Sequence, residues 1–323
     1  MKVQLAGWFF SLTVVLLVSC NRNKPDSVFG TSIKYPKENP QTAEKIELGR
    51  RLFFDPILSL DSSVSCASCH KPKFAFADTV SVSPGVKGRI GFRNAPTLLN
   101  TAHYPHFMSE GGVKSLELQV LAPLEDHNEM SMPVFEACER LNGIAEYQRM
   151  FKLVWNDSAT PFTLTRSIAA FERTLLSSGS RYDRYAKGDI AALTNLERIG
   201  LELFESNRLQ CAQCHSGVLF TSLGFENNGL DSVYEDNGRF RLTVDTNDLG
   251  KFKVPSLRNI ALTSPYMHDG RFQSLGEVID HYDLGGTGHV NQSDKVKPLR
   301  LKDAEKKALE SFLMSLTDTA LIR

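Results

Sequence analysis

The chain has 323 residues, of which 41% are apolar, so it is long enough for two domains with packed cores and does not have the composition of a disordered protein. Its 37 basic and 37 acidic residues balance, which gives no indication of a nucleic-acid partner. Four of its 6 cysteines lie in two copies of one short pattern, CASCH at 66–70 and CAQCH at 211–215.

The first twenty residues predict an export signal. Lys2 precedes the run VQLAGWFFSLTVVLLVSC, which is short for a membrane span and is followed by polar residues. The run looks like a bacterial lipoprotein signal, cleaved before Cys20 with lipid on that thiol. An uncleaved anchor and a plain secretory signal are the alternatives, and each of the three places the protein in the periplasm or cell envelope. Residues 21–40 are predicted to be a flexible tether.

Similar helical patterns precede the two pentapeptides. LGRRLFF stands before the first and IGLELFE before the second, with apolar spacing that fits one helix face. Thr194 and Glu197 predict a capping box at the start of the second of these helices. The residues that correspond are Gly49, Leu52 and Phe53 in the first copy, and Gly200, Leu203 and Phe204 in the second.

Each copy also ends in a predicted helix, TLTRSIAAFERTLLSSG in the first and LKDAEKKALESFLMSL in the second. Strand signals are few. We therefore predict a mainly α fold with two cytochrome-c-like haem domains in tandem, at 41–186 and 187–323, joined near SRYDRYAKGDIAALT. Cys138 stands alone in FEACERLN and is predicted to be a buried, small apolar residue.

The histidine that follows each C-x-x-C pair decides between the uses of this pattern. Zinc sites need two close pairs, a redox pair needs a thioredoxin-like setting, and a disulfide across so tight a loop is strained. None of these explains the histidine, whereas covalent haem c does. Two thiols add to the haem vinyl groups and the imidazole binds the iron. The predicted haem residues are Cys66, Cys69 and His70 for the first haem, and Cys211, Cys214 and His215 for the second.

From about residue 40 to the C-terminus the chain resembles the bacterial dihaem cytochrome c peroxidase superfamily, which includes the MauG enzymes. The segments that carry the resemblance are LGRRLFFDPILS, SCASCH, RNAPTLLN, SLELQVLAPLEDHNEM, AAFERTLLS, CAQCHSG, VPSLRNIALTSPYMHDG and SLGEVIDHYDLGG. The resemblance implies reduction of hydrogen peroxide to water at the first haem. It also implies electrons from a small redox protein, a cytochrome c or a cupredoxin, passed on by the second haem.

In this family a glutamine and a glutamate ten residues apart lie over the reactive haem, with a proline between them. Gln119, Pro123 and Glu129 occupy these positions. The chemistry is consistent, because uneven cleavage of the O–O bond needs a proton taken from one oxygen and given to the other, which a carboxylate can do. Gln119 is expected to orient peroxide or water.

Many members carry a histidine in the loop before RN that caps the resting first haem. Here Val86 falls in that place, and no histidine lies between residues 71 and 102. The first haem is therefore expected to be open in the resting state. His103, His106 and His127 are interpreted as surface or core imidazoles.

The second haem departs from the peroxidase pattern. Peroxidases of the family place methionine fourteen residues after the histidine of PY-x-H-x-G, and counting from His268 gives Tyr282. MauG-type enzymes carry tyrosine there, and a phenolate favours ferric iron. His281, Met267 and an open site are the alternatives.

A tryptophan between the haems is the second departure. The family usually has WDG there, whereas this chain has MSEGG, with Ser109 in the tryptophan's place. Shared oxidation of both haems in the MauG manner is therefore in question, and Phe107 or Tyr104 would have to provide another electron path.

The resemblance further implies one calcium ion between the domains, for which Asn94, Thr263 and Pro265 occupy the matching positions. Three functions compete: a peroxidase, a MauG-like oxidase of a partner protein, and a dihaem cytochrome that only transfers electrons. A second copy of the chain, in a homodimer, is a further candidate partner.

Overall fold

The computed structural model describes residues 33–320. Over this range the fold is mainly helical, as predicted, with 44% helix. The helices up to residue 172 are α1 Ala43–Phe54, α2 Cys66–Cys69, α3 Leu116–Gln119, α4 Leu121–Glu125, α5 Val134–Asn142, α6 Ala145–Trp155 and α7 Pro161–Glu172. Those that follow are α8 Arg181–Ala186, α9 Asn195–Glu205, α10 Cys211–Cys214, α11 Phe240–Thr243, α12 Leu275–Leu284 and α13 Asp303–Ser315.

Strands contribute little to the described part of the chain. β1 (Phe225–Glu226) and β2 (Phe252–Lys253) pair antiparallel, with Phe225 opposite Lys253. Within residues 33–320 no helix has the length and apolar character needed to cross a bilayer. The predicted signal and lipid attachment at Cys20 lie outside the described residues.

One pair of crossed helices occurs twice. α1 packs on α7 and α9 packs on α13, and each crossing is close because a glycine faces the partner backbone. A Cβ at Gly49 would overlap the carbonyl oxygen of Ser167, and one at Gly200 would overlap that of Ala308. Each crossing also holds a tilted aromatic pair with ring centroids 5.1 Å apart, Phe53 with Phe171 and Phe204 with Phe312.

The two crossings organise two apolar cores. In the first, Leu48, Leu52 and Phe53 of α1 are completely buried. In the second, Phe204 and Phe312 pack with Phe220. The helices predicted around both pentapeptides are thereby confirmed, as is the capping box of Thr194 and Glu197 at the start of α9. Cys138 is 5% exposed and packs in the first core, as predicted.

The repeat continues between the haem motifs and the helices that follow them. Residues of the first half have counterparts at a constant distance along the sequence in the second half, and each residue and its counterpart share a backbone conformation or a contact. Asn100 and Asn259 both adopt left-handed backbone, with φ of +62° and +59°. Ser115 and Ser274 are the N-caps of α3 and α12. The backbone bridges Phe107–Val113 and Tyr266–Phe272 correspond as well. The segment α3–α4 thus corresponds to α12.

The seam between the halves has the same approximate symmetry. The backbone N–H of Asn94 donates to the carbonyl of His268 over 2.8 Å, and that of Lys253 donates to the carbonyl of Ser109 over 2.7 Å. Each bond therefore joins a loop of one half to the segment that precedes α3 or α12 in the other half. The halves therefore form one continuous unit.

Two segments at the predicted domain boundaries make contacts across those boundaries. α8 falls within the predicted first domain, at 41–186, but Asp183 forms a buried ion pair with Arg258 of the second half, and Tyr182 packs on Phe220. At the other end, Asn39 of the predicted tether is completely buried, and its side chain donates to the Glu117 carboxylate over 2.9 Å. Tertiary contacts that sequence patterns do not show thus join α8 to the second half and Asn39 to the first.

Candidate haem and peroxide site

The first pentapeptide forms a single helical turn that presents two free thiols, Cys66 and Cys69. His70 ends this turn, and its Nδ1 lies 3.0 Å from the carbonyl oxygen of Phe76. A carbonyl only accepts, so Nδ1 carries the proton and Nε2 keeps its lone pair. Burial lowers the pKa of His70, so the imidazole is neutral and suited to bind a metal.

The second pentapeptide has the same geometry. Cys211 and Cys214 are free thiols on α10, and the Nδ1 atom of His215 lies 3.2 Å from the carbonyl oxygens of both Phe220 and Pro255. Burial again lowers the pKa of the histidine. In both halves the backbone therefore fixes the ring through Nδ1 and leaves Nε2 available.

These residues fit covalently bound haem c. Burial raises the pKa of each of the four thiols, to about 11 for Cys211, so all four carry a proton at neutral pH, and the addition of S–H across a vinyl group gives a thioether. A neutral imidazole held through Nδ1 is the arrangement that metal-ligating histidines adopt. Haem would be held by the two thiols and the imidazole of each pentapeptide, and would supply redox-active iron there.

Glu129 lies near the first pentapeptide. Its carboxylate interacts electrostatically with the thiols of Cys66 and Cys69. Glu129 is an exposed residue, but the chain around its carboxyl removes enough solvent to raise the pKa of Glu129 to about 7. The charge of Asp126 adds to this shift. Such a carboxyl exchanges protons readily at neutral pH.

Val86 lies directly beside Glu129. Its backbone N–H donates to the Glu129 carbonyl over 2.8 Å, and its side chain is fully buried. Gly85 permits this approach, because a Cβ there would overlap the carbonyl oxygen of Asn128. The structure thus places the loop that carries a histidine in many family members next to Glu129, with an apolar side chain that cannot bind iron.

Gln119 and Pro123 lie on the short helices α3 and α4, which the N-cap Ser115 begins. Among residues 33–320, the Gln119 side-chain amide has no hydrogen-bond partner, so it is available to a ligand. Pro123 corresponds to Tyr282 in the repeat, because the two residues are as far apart in sequence as the corresponding N-caps Ser115 and Ser274. The first half therefore has a residue that cannot bind iron where the second half has a phenol.

Tyr282 lies on α12, near the second pentapeptide. Its hydroxyl interacts with the thiols of Cys211 and Cys214 and is hydrogen-bonded by the side chain of Asn228. Burial raises the pKa of Tyr282 to about 12, so ionisation of the phenol needs a bound cation. The phenol is thus on the correct side of α12 to reach a group attached to these thiols.

The alternative ligands have other partners. The Nε2 atom of His281 lies 3.0 Å from the backbone carbonyl of Asn228, which accepts its proton. The Met267 sulfur lies 3.3 Å from the Nδ2 atom of Asn228. The Nε2 atom of His281 is thus engaged by the backbone, whereas the Tyr282 hydroxyl interacts with the thiols of the second pentapeptide.

Ser109 lies in the seam, where its carbonyl accepts from Lys253. Of the two rings proposed to replace the missing tryptophan, Phe107 pairs through its backbone with Val113 of its own half. The Tyr104 hydroxyl instead bonds to Ser256 of the second half, and burial raises its pKa to about 12. Tyr104 is therefore the ring that joins the halves.

The predicted calcium residues lie on adjoining segments. The Asn94 side chain donates to the carbonyl of Val80 over 3.1 Å and to that of Ser81 over 3.2 Å. Thr263 donates to its own loop at Ile260 over 3.2 Å, and a cis peptide precedes Pro265. Within residues 33–320 no cluster of three or more His, Cys, Asp or Glu side chains is placed to hold a metal.

Sequence analysis missed two buried ionisable residues. Lys253 donates from Nζ to the carbonyl of His106 over 3.1 Å, and burial lowers its pKa to about 8. Glu172 is 4% exposed at the end of α7. The repeat contained a signal for the second of these, because the position that corresponds to Glu172 in α13 is Leu313.

Comparison with known proteins identifies the class. Residues 43–191 match the family described as di-haem cytochrome c peroxidase. A cytochrome-c peroxidase, IdrP1, of Pseudomonas sp. (strain SCT) is 36% identical, with 88% of this chain and 84% of that protein covered. The methylamine utilization protein MauG of Methylorubrum extorquens is 37% identical, with 88% and 81% covered.

The fold agrees with these relationships. The crystal structure of a MauG-like protein associated with microbial copper homeostasis superposes with a TM-score of 0.84 at 35% identity, covering 90% of this chain and 94% of that one. The chain belongs to the di-haem cytochrome c peroxidase family, as the sequence motifs predict. Membership implies two haem c cofactors.

Proposed function

We propose that the protein is a dihaem peroxidase that reduces hydrogen peroxide to water with electrons from a small periplasmic redox protein. The observation that carries the proposal is the position of Glu129, beside the thiols of the first pentapeptide and next to Val86, with a pKa of about 7. Relatives named as cytochrome-c peroxidases support the same activity.

The two halves have different tasks in this proposal. The first, predicted at 41–186, holds the haem that reacts with peroxide, because Val86 and Pro123 provide no ligand on its open side. The second, predicted at 187–323, would hold the haem that receives electrons, and Tyr282 would bind the iron of that haem. Tyr104 and Ser256 form the contact between them on the electron path.

Glu129 performs the proton transfer. As a carboxylate it accepts the proton from one peroxide oxygen, and as the resulting acid it gives that proton to the other oxygen, which leaves as water. Gln119 orients the peroxide through its unpaired amide. Overall, one peroxide, two electrons and two protons give two molecules of water. Haem at the first pentapeptide supplies the iron and the electrons for this cleavage.

Replacement of Glu129 tests the proposal. Glu129→Gln keeps the shape and removes the proton-accepting carboxylate, so peroxide turnover should fall by about 10²- to 10⁴-fold. Glu136→Gln, on the exposed side of α5, is the matched control and should retain full activity. Both variants should show two haem masses on denaturing mass spectrometry. Turnover of Glu129→Gln within about threefold of wild type would remove Glu129 from the mechanism.

A MauG-like oxidase of a partner protein is the second candidate, and Tyr282 favours it. Ser109 argues against it, because the seam has no tryptophan to share oxidation between the haems. Peroxide added without an electron donor separates the two: an oxidase should keep a changed second-haem spectrum for minutes and transfer oxidation to protein. A dihaem cytochrome that only transfers electrons should show two six-coordinate haems and no reaction with peroxide.

The remaining proposals concern place and partners. We propose a lipid anchor at Cys20 in the cell envelope, so Cys20→Ser should release the haem protein into the soluble periplasmic fraction. Calcium at Asn94, Thr263 and Pro265 would join adjoining segments of the seam, and chelation should then lower thermal stability. A homodimer should appear in sedimentation as twice the mass of the mature chain.

A further inference from the structure

Glu172 is a buried acid with no assigned task. It is the last residue of α7, is 4% exposed, and its Oε2 atom has no hydrogen-bond partner among the described residues. The adjacent cation, Arg173, is already bound to Glu117 through two hydrogen bonds of 2.7 and 2.9 Å. An acid that is buried without a partner is costly, so a packing role alone does not explain it.

The position of Glu172 is at the first haem site. The carboxylate interacts electrostatically with the thiol of Cys66. The preceding residue, Phe171, packs on Phe53 at the helix crossing that faces the pentapeptide. An unsatisfied buried polar atom close to a thiol that would attach haem is what a residue interacting with that cofactor should show.

The second half provides an internal control. Phe171 corresponds to Phe312, since each packs on the aromatic residue of the crossing helix, and the next residue there is Leu313. Leu313 is 9% exposed and lies in the core against which Cys211 packs. At corresponding positions, the second half therefore packs a leucine into its core, whereas the first half, which is proposed to react with peroxide, buries an acid.

The charges around Glu172 leave it neutral. Burial raises its pKa to about 8, Arg173 opposes this shift, and Glu117 on α3 adds to it. From α1, Lys45 faces away, because its Nζ donates to the carbonyl of Pro40 over 3.0 Å. A pKa this close to neutrality lets the proton leave or return when the charge of the neighbouring site changes.

We propose that Glu172 binds and releases a proton in step with the oxidation state of the first haem. When that haem gains an electron from the donor protein, the Glu172 carboxylate binds one proton, and when the haem loses the electron, the proton is released. This rests on the proposed function, in which the first haem reacts. Glu129 moves a proton between the peroxide oxygens, whereas Glu172 stores one of the two protons that must enter from outside.

A redox titration without peroxide tests the inference on the holoprotein. A tenfold change in proton concentration corresponds to about 59 mV for one electron, so the first-haem potential should fall by about 59 mV per pH unit around neutrality. Glu172→Gln should remove this slope. Glu172→Leu should remove it as well, with a residue that the second half accommodates at the same place. The first haem is identified as the one whose potential does not change in Tyr282→Met.

The control and a second measurement complete the test. Glu136→Gln should keep the wild-type slope, because Glu136 is exposed. Infrared difference spectra between reduced and oxidised protein should show the C=O band of a protonated carboxylic acid, absent in Glu172→Gln. An equal slope in wild type and Glu172→Gln, or an unchanged band, would overturn the inference. If the first-haem potential depends on pH as expected but the protein does not turn over peroxide, the proposed function is refuted, whereas redox-linked proton binding by Glu172 is retained.

Discussion

Removal of one charge, by Asp126→Asn, should change the pH dependence of peroxide reduction. Asp126 raises the pKa of Glu129 by like-charge repulsion, second in size to burial. Its Oδ1 atom also accepts the backbone N–H of Asn128 over 2.7 Å, and asparagine keeps that acceptor. The substitution therefore changes the charge and preserves the turn.

The size of the effect follows from the pKa of Glu129. At about 7, the carboxylate form is half populated at neutral pH and close to one-tenth populated a unit below, so kcat/KM for peroxide should fall about tenfold per unit on the acid side. Without the charge of Asp126 the pKa of Glu129 falls, so the acid-side decline of kcat/KM begins at lower pH. Because burial is the larger cause, the shift should be less than half of the displacement from 4.5 to about 7.

The assay is kcat/KM for peroxide, measured from about pH 5 to about pH 9, because this quantity reports groups of the free enzyme. Glu136→Gln is the control and should leave the profile in place. A decline that does not move in Asp126→Asn, or that moves to higher pH, would refute the assignment of Glu129 as the base.

Three further outcomes are expected. Tyr282→Met should raise the second-haem potential in a redox titration, since phenolate stabilises ferric iron; an unchanged potential would mean that Tyr282 is not the ligand. The fully oxidised wild-type protein should react with peroxide in stopped-flow spectra, whereas Val86→His should react only after reduction. If the wild-type protein also reacts only after reduction, a residue other than a histidine at position 86 must block the first haem. Gly200→Ala should lower the free energy of unfolding in urea by about 1–3 kcal/mol, because its Cβ would overlap the Ala308 carbonyl; full stability would contradict the close crossing.

Local patterns predicted much of the fold. The capping box at Thr194 and the apolar face of α9 depend on residues a few positions apart, so the sequence alone contains them. The contact of α8 with the second half was not predicted, because it depends on the ion pair of Asp183 with Arg258, far away in sequence. The burial of Asn39 is likewise a long-range contact within an otherwise polar segment.

The candidate site divides in the same way. The pentapeptides and the spacing of Gln119 and Glu129 are readable as motifs, whereas the raised pKa of Glu129 depends on its surroundings in the folded chain. Glu172 is part of an ordinary amphipathic pattern, and only its burial sets it apart. Alignment of the two halves would have found it, since an acid opposite a leucine in a repeated core position is a departure that packing does not explain.

The crossed hydrogen bonds of the seam make the two sites parts of one mechanical unit. Lys253 binds Ser109, on the approach to α3, and lies two residues before Pro255, whose carbonyl accepts from His215. The bond from Asn94 repeats this arrangement in the opposite direction. The segment that precedes the helix of one half is therefore joined, by one backbone hydrogen bond and two residues of chain, to the carbonyl that holds the imidazole of the other half. The orientation of each of these imidazoles thus depends on backbone that is anchored to the opposite half of the molecule.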